Sequence, residues 1–322
     1  MPDKRLTISD ARAATHKLIV KTLGSVPPHI SDMCIHLSNG MGKGVRTSLL
    51  LICASDNEGL VGTDAVSASA AVELFHLATL VHDDVIDDAP LRRGRPALHA
   101  TFGRKQAVIC GDYILCLAAS LIAPIGERYR EYDALAEKLA RIVASVAAGE
   151  LRQLQNNRNI DLDVHTYLRI IGGKTAALFC ASALAGAAIA RHSQREVRAL
   201  ARFGRTFGMV FQIADDCKDY EFSEDKALKT VGRDIGEGIV TLPLILTLRQ
   251  APELHLFARY AFDEAGSDQT RKRLIQDVVS RRGTDQARNF CDRLAAKAVR
   301  SLRNGGFNPS KVSALTELLE QI

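Results

Sequence analysis

The 322-residue sequence predicts an all-α protein, and three observations carry that expectation. Apolar residues recur at helical spacing through most of the chain, and few runs alternate with period two. Hydrophobic residues make up 47% of the chain while aromatics are 5% and tryptophan is absent, so Ala, Leu, Ile and Val must build the core. That aliphatic, alanine-rich composition favours helix over sheet.

The periodicity predicts helices over 5–23, 66–86, 107–122, 131–155, 165–190, 195–220, 241–250, 269–281, 284–303 and 310–321. Breaks fall at Pro27-Pro28, 38–44, 89–96, 156–161, 226–240 and 305–309, where Gly, Pro, Asn and charged residues gather. No internal repeat and no low-complexity linker divides the chain. One all-α domain over 1–322 is the simplest reading.

Composition also excludes function classes. The net charge of +5 is mild and the basic residues are scattered, which argues against nucleic acid as a partner. Seven cysteines lie far apart with no C-x-x-C pair, which fits reduced thiols and a cytoplasmic protein. The N-terminus lacks a charged head followed by an apolar run, so no secretory signal is expected. The longest small and apolar stretch, Ala176–Ala190, is too short for a span, and no transmembrane segment is expected.

Two aspartate clusters point to chemistry. His82-Asp83-Asp84-Val85-Ile86-Asp87-Asp88 ends one apolar helix, and Gln212-Ile213-Ala214-Asp215-Asp216-Cys217-Lys218-Asp219 ends another. On a helix, positions i and i+4 share a face, so Asp83 stands over Asp87 and Asp215 over Asp219. Like charges at this spacing destabilise the helix unless cations sit between them. Hard cations such as Mg²⁺ prefer oxygen ligands and commonly bridge carboxylates to phosphates. Two D-D-x-x-D runs therefore suggest a site for Mg²⁺-bound diphosphate, whereas one alone reads equally well as a solvated helix end.

Phosphate also needs cations. Arg92-Arg93-Gly94 follows the first cluster, and Gly42-Lys43-Gly44-Val45-Arg46 opens an apolar helix, whose N-terminal N–H groups favour anions. Lys174-Thr175 precedes the alanine-rich helix, and Lys229 and Arg233 follow the second cluster. Each is a common surface charge by itself, and the G-K-G run lacks nucleotide P-loop spacing. Their value lies in accompanying the aspartates.

The run Glu73-Leu74-Phe75-His76-Leu77-Ala78-Thr79-Leu80-Val81-His82-Asp83-Asp84-Val85-Ile86-Asp87, with Arg92-Arg93-Gly94-Arg95-Pro96 behind it, resembles the trans-polyprenyl diphosphate synthases. So does Phe211-Gln212-Ile213-Ala214-Asp215-Asp216-Cys217-Lys218-Asp219, followed by Val231-Gly232-Arg233-Asp234 and Thr241-Leu242-Pro243-Leu244. Gly111-Asp112-Tyr113, Gly149-Glu150-Leu151 and Lys174-Thr175-Ala176-Ala177-Leu178 extend the match from about 40 to 250 in consistent order.

The resemblance implies the isoprenoid synthase fold, a helical bundle around a deep central cavity, and an enzyme condensing an allylic diphosphate with isopentenyl diphosphate. It implies Asp83, Asp84, Asp87, Asp215, Asp216 and Asp219 as Mg²⁺ ligands, Asp215 foremost. Arg92, Lys174 and Lys229 would contact the allylic diphosphate, and Lys43, Arg46, His76 and Arg93 the diphosphate of isopentenyl diphosphate. Gln212 and Thr175 would lie beside the reacting carbons. A homodimer is implied, with a heteromer as the alternative. The chain departs from the family pattern at Leu228 and at Ile239, where the family often has a glycine and a lysine, and the second change puts part of the diphosphate clamp in doubt.

Product length in this family is set by residues one and two turns before the first cluster. Here these are Thr79 and Ala78, both small, and Phe75 one turn deeper, which points either into the growing-chain shaft or into the ordinary core. The expected product exceeds fifteen carbons, with thirty or more preferred; a short-chain synthase is the alternative. A terpene cyclase would show a different second metal motif. A metal phosphohydrolase would need further His and Asp ligands, and a silent partner subunit would lack one cluster. His99 and the remaining histidines read as structural or surface residues.

Overall fold

The computed structural model describes residues 5–38, 40, 42–131, 135–221, 232–263 and 266–322. Helices dominate them as expected. The first six are α1 (Ile8–Gly24), α2 (Pro28–Ser38), α3 (Val45–Ala54), α4 (Thr63–Ile86), α5 (Leu98–Phe102) and α6 (Arg104–Arg128). Next come α7 (Leu135–Gln155), α8 (Val164–Lys174), α9 (Ala176–Ile189), α10 (Gln194–Lys218) and α11 (Arg233–Gly236). The chain then continues through α12 (Leu242–Gln250), α13 (His255–Phe262), α14 (Asp268–Ser280), α15 (Gly283–Arg303) and α16 (Pro309–Glu320). A short 3-10 turn (Pro252–Leu254) and two antiparallel pairs of two-residue strands complete the described elements: β1 (Leu6–Thr7) with β2 (Leu60–Val61), and β3 (Leu91–Arg92) with β4 (Arg95–Pro96).

Some boundaries differ from the sequence reading for identifiable reasons. The first helix begins at Ile8 rather than residue 5 because Leu6 and Thr7 pair with β2, and the Thr7 hydroxyl then accepts from the Asp10 N–H as an N-cap. The predicted helix 165–190 is two helices, interrupted at Thr175. Helices α2 and α13 lie in stretches not singled out by periodicity.

Two compact units divide the chain. The first comprises Met1–Arg141, Leu178–Gly204 and Leu302–Leu318. Its core lies among α1, α2, α4 and α6, where Ile19, Leu23, Cys34, Leu74, Ala78 and Ile114 are buried together. Along α4 the buried stripe Leu74, Ala78, Val81, Val85 follows the i, i+4, i+7, i+11 pattern of a helix face. In the same unit the buried Lys311 of α16 donates to Cys53 O and Ser55 O, at 3.3 and 2.7 Å, capping the end of α3. None of the seven cysteines forms a disulfide.

The second unit comprises Ile142–Ala177, Arg205–Ser301 and Leu319–Ile322. Within it α12 packs on α8 and α14, and α13 on α14. Helices α7 and α8 meet backbone to backbone at two glycines. A Cβ built on Gly149 would lie 2.2 Å from Lys174 N, and one on Gly173 would lie 2.8 Å from Ser145 O. The close approach fixes the helix turn that carries Lys174.

Helices α4 and α6 are long and apolar enough, by length and composition, to cross a membrane. The expectation of no transmembrane segment weighed only Ala176–Ala190, and in α4 56% of the apolar window is buried inside the protein. The sequence reading broke both helices short, ending the second at 122 where α6 runs on through Pro124 to Arg128. A proline there shortens the apparent pattern more than the helix itself.

Gly149→Ala is expected to destabilise the protein by about 2 kcal/mol or more, because overpacking against backbone cannot relax by rotamer changes. Gly24→Ala, where a Cβ meets nothing within 4 Å, is the control and leaves the urea midpoint unchanged or slightly raised. Equal midpoints for both variants in urea denaturation would contradict the close-approach argument.

Candidate active site

In the first unit, α4 brings the first cluster to its C-terminal turn. Asp83 and Asp84 lie in the last turn, and Asp87 is the C-cap, its N–H bonded to Asp83 O at 2.8 Å. Asp84 is the buried member, 5% exposed. A buried carboxylate needs donors, and Arg92 Nε supplies one to both oxygens at 2.8 and 2.7 Å.

Arg92 reaches Asp84 because Leu91–Pro96 forms a tight hairpin. Its two turn residues, Arg93 and Gly94, both have positive φ (51° and 77°), as a type I′ turn requires. The turn also aims Arg93 at the loop before α3, where Nη1 donates to Gly40 O at 2.6 Å. A Cβ at Gly42 would lie 2.7 Å from the end of the Arg93 side chain, so the loop and the guanidinium lie close together.

These side chains line a pocket in the first unit together with Glu73 and His76. Pocket residues from α4 are Glu73, His76, Leu77, Leu80 and Asp84, a single helix face. Burial pushes the Arg46 guanidinium down to about 10, with Glu73 opposing and Arg93 adding to the effect. Among the described residues its Nε has no hydrogen-bond partner, and its guanidinium lies 4.4 Å from the centre of the Phe179 ring. Burial, then the charges of Arg46, Arg92 and Arg93, hold His76 well below the usual imidazole range, so it is neutral at pH 7. Lys43 is exposed, and its carbonyl accepts from Arg12 Nη2 at 3.1 Å.

The residues expected to set product length separate. Ala78 is fully buried on the core stripe, Phe75 packs against the same core, and Thr79 Oγ1 donates to His76 O at 2.8 Å.

In the second unit, α10 ends in the second cluster, and the same pattern recurs. Asp215 is exposed while Asp216 is buried, again 5% exposed. Tyr167 Oη donates to Asp216 Oδ2 at 2.5 Å, and Gln212 Nε2 donates to Oδ1 at 2.7 Å. Thr175 Oγ1 donates to Gln212 Oε1 at 2.6 Å, so Thr175, Gln212, Asp216 and Tyr167 form one chain of hydrogen bonds. Burial pushes Asp216 up to about 6, against the lowering effect of the Tyr167 and Gln212 bonds. Burial likewise raises the phenol of Tyr167, and the Asp216 charge adds to it.

Asp219 accepts from the backbone N–H groups of Arg233 and Asp234 at 3.1 and 3.0 Å. Burial raises its carboxyl in spite of those bonds. Asp234 was not singled out as a site residue, although Val231-Gly232-Arg233-Asp234 belonged to the matching pattern. Burial first, then Asp216, Asp219, Glu237 and Asp215, hold its carboxyl well above the usual range.

Lys174 bonds Glu150 at 2.8 Å, and Arg233 bonds Glu237 at 2.6 Å through its side chain. Lys229 and Leu228 lie outside the described residues. Among the described residues no three His, Cys, Asp or Glu side chains are gathered as a ready-made cation cage. Each cluster instead has its second aspartate turned inward onto protein donors.

Residues 27–278 match the family model described as polyprenyl synthetase. An octaprenyl diphosphate synthase from Haemophilus influenzae is 31% identical over 282 residues, covering 87% of this chain and 84% of that protein. Component 2 of a heptaprenyl diphosphate synthase from Geobacillus stearothermophilus is 35% identical over 75% of this chain and 73% of its own length. A short-chain isoprenyl diphosphate synthase from Methanothermobacter thermautotrophicus is 36% identical over 68% of this chain and 66% of its own. Among solved structures, a heptaprenyl diphosphate synthase from Staphylococcus aureus superposes with a TM-score of 0.89 at 26% identity, covering 98% of both chains. A polyprenyl synthase from Caulobacter crescentus, complexed with calcium and isoprenyl diphosphate, gives 0.84 at 30% identity, covering 97% of this chain and 94% of that one.

Tyr167→Phe removes one of the two donors to a buried carboxylate and is expected to cost about 1–3 kcal/mol of stability. Chemical denaturation measures it. A loss below about 0.5 kcal/mol, the ordinary scatter of an inert substitution, would show that Asp216 does not depend on the phenol.

Proposed function

The chain belongs to the polyprenyl synthetase family, and we propose that it condenses an allylic diphosphate with isopentenyl diphosphate to give a medium- or long-chain polyprenyl diphosphate. The observation that carries this reading is the pairing of an acid-rich helix end with a cationic pocket in the first unit, and a second acid-rich helix end in the other. The reaction breaks the allylic C–O bond, forms a C–C bond to the isopentenyl double bond and releases a proton. No side-chain nucleophile is required.

The donor set fits a hard divalent cation, Mg²⁺, because the two clusters offer only carboxylate oxygens. Asp83, Asp87 and Asp215 would bind directly; Asp84, Asp216 and Asp219 hold the helix ends in place from behind. When bound, the cation neutralises the departing diphosphate and lowers the cost of ionising the C–O bond. By the family resemblance, Arg92 in the first unit and Lys174 in the second would each contact the allylic diphosphate. Lys229, the third cation of that expectation, lies outside the described residues. Lys43, Arg46, Arg93 and neutral His76 receive the diphosphate of isopentenyl diphosphate. His76, uncharged, offers an N–H without adding to the crowded positive charge. Gln212 and Thr175, locked to each other, present fixed dipoles to the reacting carbons.

The whole chain acts as one catalytic domain in this reading. A homodimer is supported by α6, which leaves Val108 and Ile109 exposed on an apolar helix. The likeness to a component 2 protein favours, as a second reading, a catalytic subunit that works with a smaller partner. The polar face of α4, with Glu73, His76 and Asp84, is ill suited to lipid and supports a cytoplasmic enzyme; the mild, scattered charge supports the reading without a nucleic-acid partner.

Incubating the pure protein with farnesyl diphosphate, isopentenyl diphosphate and Mg²⁺ should give products of thirty carbons or more. Products capped at fifteen carbons from shorter primers would refute the chain-length reading, and activity only on adding a second protein would favour the heteromer. Asp215→Ala should lower kcat by about 10²–10³-fold, the usual loss on removing one electrostatic contact to a leaving group. Wild-type turnover in that variant, or turnover unaffected by a chelator, would count against the metal assignment.

A further inference from the structure

The pocket of the first unit contains a feature that an anion-binding site should not tolerate. Glu73 stands among the cations, on the same α4 face as His76 and Asp84. An unpaired carboxylate there would repel diphosphate. Glu73 has, however, a defined task at the start of α3. That helix begins after Gly44, which has no side chain to cap it and makes no side-chain cap hydrogen bond. Four N–H groups at a helix start lack internal partners, and an acceptor on the N-cap residue normally serves the third position.

Here the acceptor comes from another helix. Glu73 Oε1 accepts from Thr47 N at 3.1 Å and from Thr47 Oγ1 at 2.8 Å. Thr47 is the third residue of α3, so Glu73 does for this helix what a Ser or Asp N-cap would do from within the chain. The capped turn carries Val45 and Arg46, and the loop just before it carries Lys43. Arg46 rests on Phe179, and the charge of Glu73 opposes the effect of burial on its guanidinium.

We propose that Glu73 is a positioning residue for the isopentenyl diphosphate subsite: as a cap supplied from α4, it orients the Lys43–Arg46 turn and keeps its own charge away from the incoming diphosphate. The proposal deepens the reading given above and rests on it. Its physical content is that one oxygen takes both Thr47 donors, so the carboxylate belongs to the helix start and not to the ligand. An uncapped α3 start would leave the Thr47 N–H available to the anion and let the turn swing.

Steady-state kinetics with both substrates varied, beside thermal melting, tests this. Glu73→Ala should raise KM for isopentenyl diphosphate by about tenfold or more while the KM for the allylic primer stays within about twofold, the signature of binding lost at one subsite. Glu73→Gln keeps an oxygen acceptor for both Thr47 donors and should recover most of that loss. Thr47→Val, which removes only the hydroxyl, should give a smaller rise of the same sign and add little on top of Glu73→Ala. It serves if Glu73→Ala folds poorly. Equal rises in both KM values, or a lowered melting temperature with both KM values unchanged, would overturn the proposal, since either shows a general structural role. If the wild-type protein does not consume isopentenyl diphosphate at all, the functional reading falls and the proposal falls with it. An active wild type with a kinetically silent Glu73→Ala sinks the proposal alone.

Discussion

The structure is organised by one constraint: a charge withdrawn from water must be given partners. The inward aspartate of each cluster meets it in the way its surroundings allow. Asp84 takes Arg92, an opposite charge gripping both oxygens. Asp216 takes two neutral donors, Tyr167 and Gln212, and burial raises its carboxyl in spite of them. Surrounding geometry follows from these needs. The β3–β4 hairpin must turn in two residues to bring Arg92 back to α4, and α8 must present Tyr167 to the last turn of α10 within the second unit.

The same constraint explains how a repeated motif divides its labour. Along a helix, successive residues rotate by about 100°, so adjacent aspartates cannot share a face. Asp87 and Asp215 are exposed and Asp83 is half-buried, while Asp84 and Asp216 turn toward the interior. Asp219, just past the end of α10, accepts from the Arg233 and Asp234 N–H groups. Spacing alone therefore assigns the inward member of each pair a different environment. What spacing cannot assign is the partner. Nothing in the order of residues says that Asp84 meets a guanidinium and Asp216 a phenol.

Much of the rest was legible. The apolar period of 3.6 located most helices, and the i, i+4 aspartates located both acidic helix ends. The run from Glu73 to Asp87 carried the family resemblance. Three things were not legible. The start of α1 depends on a strand pairing with residues over fifty positions away, which local pattern cannot see. The interruption at Thr175 falls inside a stretch whose apolar period runs on past Gly172 and Gly173; there Thr175 is the C-cap of α8 and its hydroxyl donates to Gln212. Glu73 matched the pattern, yet its role as a cap appears only when α3 and α4 lie side by side. Asp234 escaped notice for a related reason: its charge matters through neighbours that are distant in sequence.

The three faces of α4 put the question of product length on a physical footing. One face, Glu73, His76, Leu77, Leu80 and Asp84, lines the pocket. A second, Leu74, Ala78, Val81 and Val85, is buried in the core of the first unit. Ala78 belongs to that second face and is wholly enclosed, so its small size serves helix packing, and a larger side chain there would strain the core before it met any growing chain. Phe75 and Thr79 lie on the third face, one turn apart. Thr79 bonds its hydroxyl to the carbonyl of His76 and so offers only a methyl group to its surroundings. Phe75 is only partly buried, with its ring against the core that Ile114 of α6 helps to form. An aromatic ring that is packed but not enclosed can limit an apolar chain by moving, whereas an enclosed alanine cannot. Of the three positions that the family resemblance points to for product length, Phe75 is the large side chain that is packed without being enclosed.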